Sequence, residues 1–200
     1  PKGVVAIVSP WNFPFAIGGF WCSAPALLEG NTVVFKPSED TPIIGQIIAE
    51  LYKEAGFPAG VFNLIHGDGQ VGDMLCRQDV DHICFTGSAE VGQHIRKVCA
   101  ESWHKTCSCE MGSKSAVMVF ADGDMELALN AAIASAYKLS GQRCVSSGRI
   151  LVESSIFLEF TAKFVEMSQR VKVGDPLDDE NPDVMMGPLI NRKQRDRVVE

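Results

Sequence analysis

One thiol in this chain stands where a nucleophile could work. Cys144 closes the stretch Ser140-Gly141-Gln142-Arg143-Cys144. The run before it, Asp124 to Leu139, carries small and apolar residues at helical spacing (Leu127, Ala128, Ala131, Ala134, Ala136) and predicts a helix. Gly141 is expected to end that helix, as glycine does just past a helix terminus. An apolar strand, Arg149-Ile150-Leu151-Val152, follows. A thiol on the turn between them can be aimed into a cleft and attack as the thiolate. Buried in a core, the same thiol would be a small inert hydrophobe.

The other cysteines point elsewhere. The chain has seven in all, an odd number without a repeated spacing. Cys107 and Cys109 are separated by one residue, so on a strand both face the same side, and no His-x-x-His or second cysteine pair accompanies them. They predict reduced core or surface thiols and no metal site, in a reducing compartment. Two glycine-bearing turns are candidates to meet a phosphate. Gly67-Asp68-Gly69-Gln70-Val71-Gly72 spells G-x-G-x-x-G after a predicted strand, a weak signal by itself. Thr86-Gly87-Ser88 follows another strand and opens a helix, where backbone N–H groups and Ser88 could hold an anion. Ser88 could equally cap that helix, with Val91 and Ile95 facing the core.

The elements that must position these residues alternate. Strands are predicted at Val4–Val8, Thr32–Phe35, Val61–Ile65, Ile83–Phe85, Thr106–Cys109 and Ala116–Phe120. Helices are predicted near Gly18–Leu28, Ile43–Ala55, Gln70–Arg77 and Val91–Glu101. Strands that alternate with helices, and are apolar almost throughout, imply a parallel sheet covered on both faces. Ligands bind outside the carboxyl ends of such strands. The residues to watch are therefore Ser9–Pro14, Lys36–Glu39, His66–Gly69, Thr86–Ser88 and Glu110–Gly112.

The 200 residues are 46% hydrophobic and 22% charged, an ordinary globular composition. The net charge of −7, with no basic cluster longer than Arg192–Arg197, argues against a nucleic-acid partner. No stretch of ~18 apolar residues occurs, so no membrane-spanning helix is expected.

The stretches Pro10-Trp11-Asn12-Phe13-Pro14, Lys36-Pro37-Ser38-Glu39, Phe85-Thr86-Gly87-Ser88, Glu110-Met111-Gly112-Ser113-Lys114 and Gly141-Gln142-Arg143-Cys144 follow one another in that order. Together they closely resemble the aldehyde dehydrogenase superfamily, over essentially the whole chain to Gly187-Pro188-Leu189-Ile190. The resemblance implies an α/β fold with a Rossmann-like parallel sheet, helices on both faces, followed by part of a second α/β domain. Residues 1–110 would be most of an NAD(P)-binding domain, and 111–200 a partial catalytic domain carrying the cysteine.

The family's roles fall on matching positions. Cys144 would be the nucleophile that forms a thiohemiacetal and then a thioester. Asn12, with the Cys144 backbone N–H, would hold the oxyanion, and Glu110 would be the general base. Lys36 and Glu39, with Ser38 beside them, would read the adenosine ribose. Ser88 and Trp11 would lie on the pyrophosphate side, among Ser9, Pro10, Phe85, Thr86 and Gly87. Val91 would lie against the adenine, with Gly69 leaving room opposite, and Met111 and Gly112 would line the nicotinamide. The implied cofactor is NAD rather than NADP, the partner a small-molecule aldehyde, the assembly a homodimer or homotetramer, and the compartment the cytoplasm or mitochondrial matrix.

Two departures stand out. The family commonly has Glu-Leu-Gly-Gly-Lys where this chain has Glu110-Met111-Gly112-Ser113-Lys114, and Ser113 adds a side chain near the cofactor. Many members carry Lys after the tryptophan where Trp21 is followed by Cys22, so a positive charge is lost. A CoA-acylating enzyme is a rival, although it needs no base at Glu110. A non-catalytic structural relative is another, although it would be free to lose Cys144, Glu110 or Asn12. The chain begins inside a strand pattern and stops at Arg195–Glu200 inside a helical one. It is thus expected to be a piece of a longer protein, catalytically silent alone, with the apolar face of a helix near Phe157–Val171 (Phe157, Phe160, Phe164, Val165) left exposed.

Overall fold

The computed structural model describes residues 1–199; Glu200, at the end of the expected C-terminal helix, lies outside them. The chain divides into two compact units, the first Pro1–Met111 and the second beginning at Gly112.

The first unit is a parallel sheet of β1 (Val4–Val8), β2 (Thr32–Lys36), β3 (Phe62–Leu64), β4 (His82–Gly87) and β5 (Thr106–Met111), in the order β3-β2-β1-β4-β5. Its helices are α1 (Ser23–Leu28), α2 (Pro42–Glu54), α3 (Gly69–Arg77) and α4 (Ala89–Ala100). Burial on both faces explains why β1 is apolar throughout, whereas β5 has one exposed polar face, Thr106, Ser108 and Glu110. Val5 and Ile7 pack with Val33, Phe35 and Ile48 on one face, while Ala6 packs with Ile83, Phe85, Leu75 and Ile95 on the other. Strand order reverses between β1 and β4, and that switch point is where such sheets bind ligands.

Several bounds differ from expectation. The helix predicted from Gly18 starts earlier, as a π-helical run over Pro14–Cys22 that passes into α1. Two glycines let this wide run lie flat on the sheet side: a Cβ at Gly18 would sit 2.3 Å from the Phe35 ring, and one at Gly19 3.2 Å from Ile48. Tyr52 Oη donates to the Gly19 carbonyl at 2.5 Å and fastens the run to α2. Gly18→Ala is expected to destabilise the protein by about 1–3 kcal/mol, because the buried Phe35 ring has nowhere to retreat; thermal denaturation measures it, and an unchanged midpoint would contradict this packing. β5 outruns its predicted end at Cys109, because Glu110 and Met111 still pair with Thr86 and Gly87.

In the second unit β6 (Ser115–Val119) pairs in parallel with β7 (Ser147–Val152). They are covered by α5 (Met125–Tyr137) and α6 (Phe157–Gln169), and α7 (Arg192–Val199) follows further on. Asp124 caps α5, its carboxylate accepting from the Leu127 N–H at 2.9 Å. The buried stripe of α5 is Leu129, Ala132 and Ile133, while Leu127 is 68% exposed. Almost every position from Leu127 to Ala136 is apolar, so periodicity alone could not select the inner face. Phe160 also corrects expectation: it is 2% exposed and stacked on Phe164 inside the core with Val119 and Ile150. Only Phe157 and Val165 of that expected face are exposed.

Among the described residues no helix is long and apolar enough to cross a membrane, and no group of three or more His, Cys, Asp or Glu could hold a metal ion.

Candidate active site

The parallel register of the first unit brings most of the predicted residues to one end of the sheet. Val8 pairs with Lys36 and Phe85, and Thr86 with Glu110, so the segments after β1, β2, β4 and β5 all leave from the same edge. Ser9, Pro10, Trp11 and Asn12 follow β1; Lys36 closes β2, with Ser38 and Glu39 just beyond; Gly87 closes β4 before Ser88; Glu110 and Met111 close β5.

Lys36 is 3% exposed, yet its ammonium is well supplied with acceptors. Its Nζ donates to the Pro37 carbonyl at 2.9 Å and the Gly67 carbonyl at 2.7 Å, and lies 3.8 Å from Glu39 Oε2. Burial pushes its pKa down, against the pull of the Glu39 and Asp68 carboxylates. The Glu39 side chain is 55% exposed. Ser9 is buried, and its hydroxyl oxygen has no hydrogen-bond partner among the described residues. A buried polar atom without a partner is costly unless a ligand or water meets it.

Both glycine turns are helix starts. In the first, Asp68 caps α3 by accepting from the Gln70 and Val71 N–H groups, and beyond its own turn no atom lies within 4 Å of where a Cβ on Gly69 would stand. In the second, Ser88 Oγ caps α4 by accepting from the Val91 N–H at 3.3 Å. Ile95 faces the core as expected, but Val91 is 43% exposed and presents an apolar surface at the sheet's carboxyl edge. Phe85 is a core side chain, its ring packed beneath Gly87 and Gly92, so only its backbone is left for a ligand. The Met111 thioether also packs on Gly92, where a Cβ would stand 2.5 Å from its sulfur.

In the second unit, Cys144 is half-buried on a turn that the chain takes against its usual preferences. α5 stops at Tyr137, and Leu139, Ser140 and Gly141 adopt φ of 56°, 55° and 72°. Left-handed backbone costs about 1–2 kcal/mol for each non-glycine residue. Gly141 therefore shares the reversal with Leu139 and Ser140, which no glycine signal marks. Side chains hold the strain in place. Arg143 Nη2 donates to the Ala134 and Ser135 carbonyls at 2.8 and 3.0 Å, fastening the turn to the open end of α5. Ser140 Oγ donates to the Gly187 carbonyl at 2.7 Å, and Gln142 Oε1 accepts from the Ile190 N–H at 3.0 Å. Ser135 and Ser147 are hydrogen-bonded through their hydroxyls, joining α5 to β7. Among the described residues the Cys144 N–H donates to no backbone carbonyl.

The sequence profile of the aldehyde dehydrogenase family matches residues 1–200. The chain belongs to that family. It is 42% identical over its whole length to human 4-trimethylaminobutyraldehyde dehydrogenase, of which it spans 40%. HpcC from Thermus thermophilus superposes on it with a TM-score of 0.93 at 42% identity, covering all of this chain and 38% of that one. A Staphylococcus aureus betaine aldehyde dehydrogenase, solved in complex with NAD+, gives a TM-score of 0.91 at 38% identity, covering 99% of this chain and 39% of that one. The chain thus spans about two fifths of the length of these aldehyde dehydrogenases.

Within this aldehyde dehydrogenase chain, Arg143 is a residue that motif order did not single out as positioning. It adjoins Cys144, but its partners lie a helical turn or more upstream, and only the fold reveals them. Arg143→Met should leave the thiol in place while freeing the turn. A misplacement of about 1 Å costs ~10²-fold in rate, so kcat in the protein that carries this chain should fall by roughly that factor. Steady-state kinetics test it, with Arg143→Lys recovering only part, since a lysine lacks the planar fork; full activity in Arg143→Met would contradict the role.

Proposed function

We propose that the protein carrying this chain oxidises an aldehyde to a carboxylic acid with NAD+ as hydride acceptor, through a covalent intermediate on Cys144. The observation that carries this reading is the strained, stapled turn that presents a half-buried Cys144. Backbone strain held by surrounding contacts is characteristic of functional sites.

In this reading Cys144 Sγ attacks the aldehyde carbonyl carbon as a thiolate. The amide of Asn12 and the Cys144 N–H donate to the developing oxyanion, an arrangement in which one donor is worth ~3–4 kcal/mol. Loss of hydride from the thiohemiacetal carbon leaves a thioester on Cys144. NAD+ when bound supplies the hydride acceptor. Glu110 takes a proton from the water that attacks the thioester, and the acid leaves as Cys144 is regenerated. A CoA-acylating enzyme would not need this base. Pro1–Met111 is accordingly assigned as cofactor domain and the unit from Gly112 as catalytic domain.

The first unit fits the cofactor. The unpartnered Ser9 hydroxyl at the switch point offers a polar contact, the open space at Gly69 and the exposed Val91 suit a flat apolar ring, and Lys36 with Glu39 suits a ribose. Trp11, Ser38, Thr86, Gly87, Ser88, Met111 and Gly112 complete the proposed contacts. The test is NADH formation on adding simple aldehydes to the protein that carries this chain; no aldehyde-dependent NADH with any of them would overturn the reading.

Glu39 should set a preference for NAD+ over NADP+. At ~4 Å and an effective dielectric of ~20, like unit charges repel by about 4 kcal/mol. Lys36 beside it offsets part of the repulsion of a 2′-phosphate, and the exposed carboxylate can swing outward. The net preference should be ~10–100-fold in kcat/KM, or about 1.4–2.7 kcal/mol. Glu39→Gln should shrink it, and an unchanged ratio would rule out the carboxylate as its source.

A further inference from the structure

The face of the sheet that carries Glu110 also carries a pair of thiols. Cys84 on β4 and Cys22 at the end of the π-helical run pack against the same core cluster, around Val5, Ile7 and Phe35, and each thiol shifts the titration of the other. Both are half-buried and unoxidised, and both line a cavity of about 560 Å³ with Trp21, His82, Ser108 and Glu110. Cys22 stands after Trp21, where many aldehyde dehydrogenases carry lysine.

A lysine and a histidine gather on the Cys84 side of this pair. His82 lies two residues earlier on the same strand face. Its Nδ1 is 2.7 Å from Thr106 Oγ1, its Nε2 3.2 Å from Ser108 Oγ, and Lys2 Nζ donates to the same Thr106 oxygen at 2.8 Å. The neighbouring Cys22 thiol, followed by His82 and Lys2, draws the Cys84 thiol well below its ordinary value against the effect of burial. The Cys22 thiol is pushed up, first by the neighbouring Cys84 thiol, then by burial and the charges of Cys84 and Glu110. The cysteines on the opposite face behave differently. Burial raises Cys76 to about 11 and Cys99 to about 12, and raises Cys109 also. Thiolate character governs reaction with peroxide.

We infer that Cys22 and Cys84 form a peroxide-oxidisable dithiol, with Cys84 the attacking sulfur and Cys22 the resolving one. The Cys84 thiolate attacks one oxygen of hydrogen peroxide, the O–O bond breaks, and the departing hydroxide takes a proton to become water. Cys84 is then a sulfenic acid. Cys22 loses its proton and attacks the Cys84 sulfur, forming the S–S bond and breaking the S–OH bond, and hydroxide leaves as the second water. The two thiols lose two electrons and the peroxide gains them. This inference stands on the geometry of the first unit and does not depend on the proposed reaction.

Peptide mapping of the protein that carries this chain tests it. The protein is treated with hydrogen peroxide, its remaining thiols are blocked with N-ethylmaleimide under denaturing conditions, and it is digested without reductant. A peptide pair linked through Cys22 and Cys84 should form and disappear on adding dithiothreitol, while Cys76, Cys99 and Cys109 are recovered as maleimide adducts. In Cys22→Ser the link should be lost and Cys84 should be trapped by dimedone as the sulfenic acid. Recovery of both Cys22 and Cys84 as maleimide adducts, at peroxide levels that oxidise Cys144, would overturn the proposal. Absence of a dimedone adduct in Cys22→Ser, with Cys84 recovered as the thiol, would overturn the assignment of Cys84 as attacker.

Discussion

Cys144→Ala should abolish aldehyde oxidation and leave NAD+ binding nearly unchanged. Without the sulfur there is no thiohemiacetal, and the hydride has no tetrahedral carbon to leave. Removing a covalent nucleophile from a serine hydrolase costs on the order of 10⁶-fold in kcat, and a loss of that scale is expected here. Cofactor affinity should persist because the proposed NAD+ contacts lie chiefly in the first unit, at Lys36, Glu39 and the strand ends. Cys107 and Cys109 provide the comparison. They lie on the face of β5 packed against the core around Ile95 and Val98, so Cys107→Ala and Cys109→Ala should alter turnover by a few-fold at most. Initial rates and cofactor titration for the three variants decide the matter. Substantial dehydrogenase activity in Cys144→Ala would remove the thiol from the mechanism.

Glu110→Gln should separate the two halves of the reaction. The amide is nearly isosteric but accepts no proton from water, and loss of a general base typically costs 10²–10⁴-fold. The cost should fall on hydrolysis of the thioester, so the first turnover still releases NADH as a burst while steady turnover collapses. β5 keeps Glu110 in its ladder, paired with Thr86, so the substitution should not disturb the strand. If burst and steady rate both match the parent protein, another group is the base.

Much of this fold is legible in the chain because the physics is local or repetitive. A sheet covered on both faces requires strands that are apolar throughout, and Val4–Val8 and Thr32–Lys36 declare themselves that way. Caps are similarly short-range, as at Asp68, Ser88 and Asp124, where a side-chain oxygen meets an N–H two or three residues on. The apolar face of α5 is not legible, since an alanine-rich helix offers several equivalent stripes and only β6, β7 and α6 select among them. The burial of Phe160 has the same origin. The π-helical run depends on Gly18 and Gly19 meeting Phe35 and Ile48, a contact between distant segments.

The site divides along the same line. The position of Cys144 on a turn, and of Lys36 and Glu110 at strand ends, follows from element order. The means of holding the turn do not. Leu139 and Ser140 in left-handed backbone contradict their own preferences, and Arg143 reaches back to carbonyls of α5. The unpartnered Ser9 hydroxyl and the placing of Cys22 and Cys84 on one cavity are likewise products of tertiary packing. In each case a residue type is visible in the sequence while its partner is fixed only by the fold.

The most direct test of the central claim is to trap the acyl group. Glu110→Gln protein, in the form that carries this chain, is mixed with an aldehyde and NAD+, quenched in acid during the burst, and digested for mass spectrometry. The peptide containing Cys144 should gain the mass of the acyl group, with one equivalent of NADH released for each peptide modified, and the gain should be absent without NAD+. NADH released with Cys144 unmodified, or an acyl group found on another residue, would contradict the account.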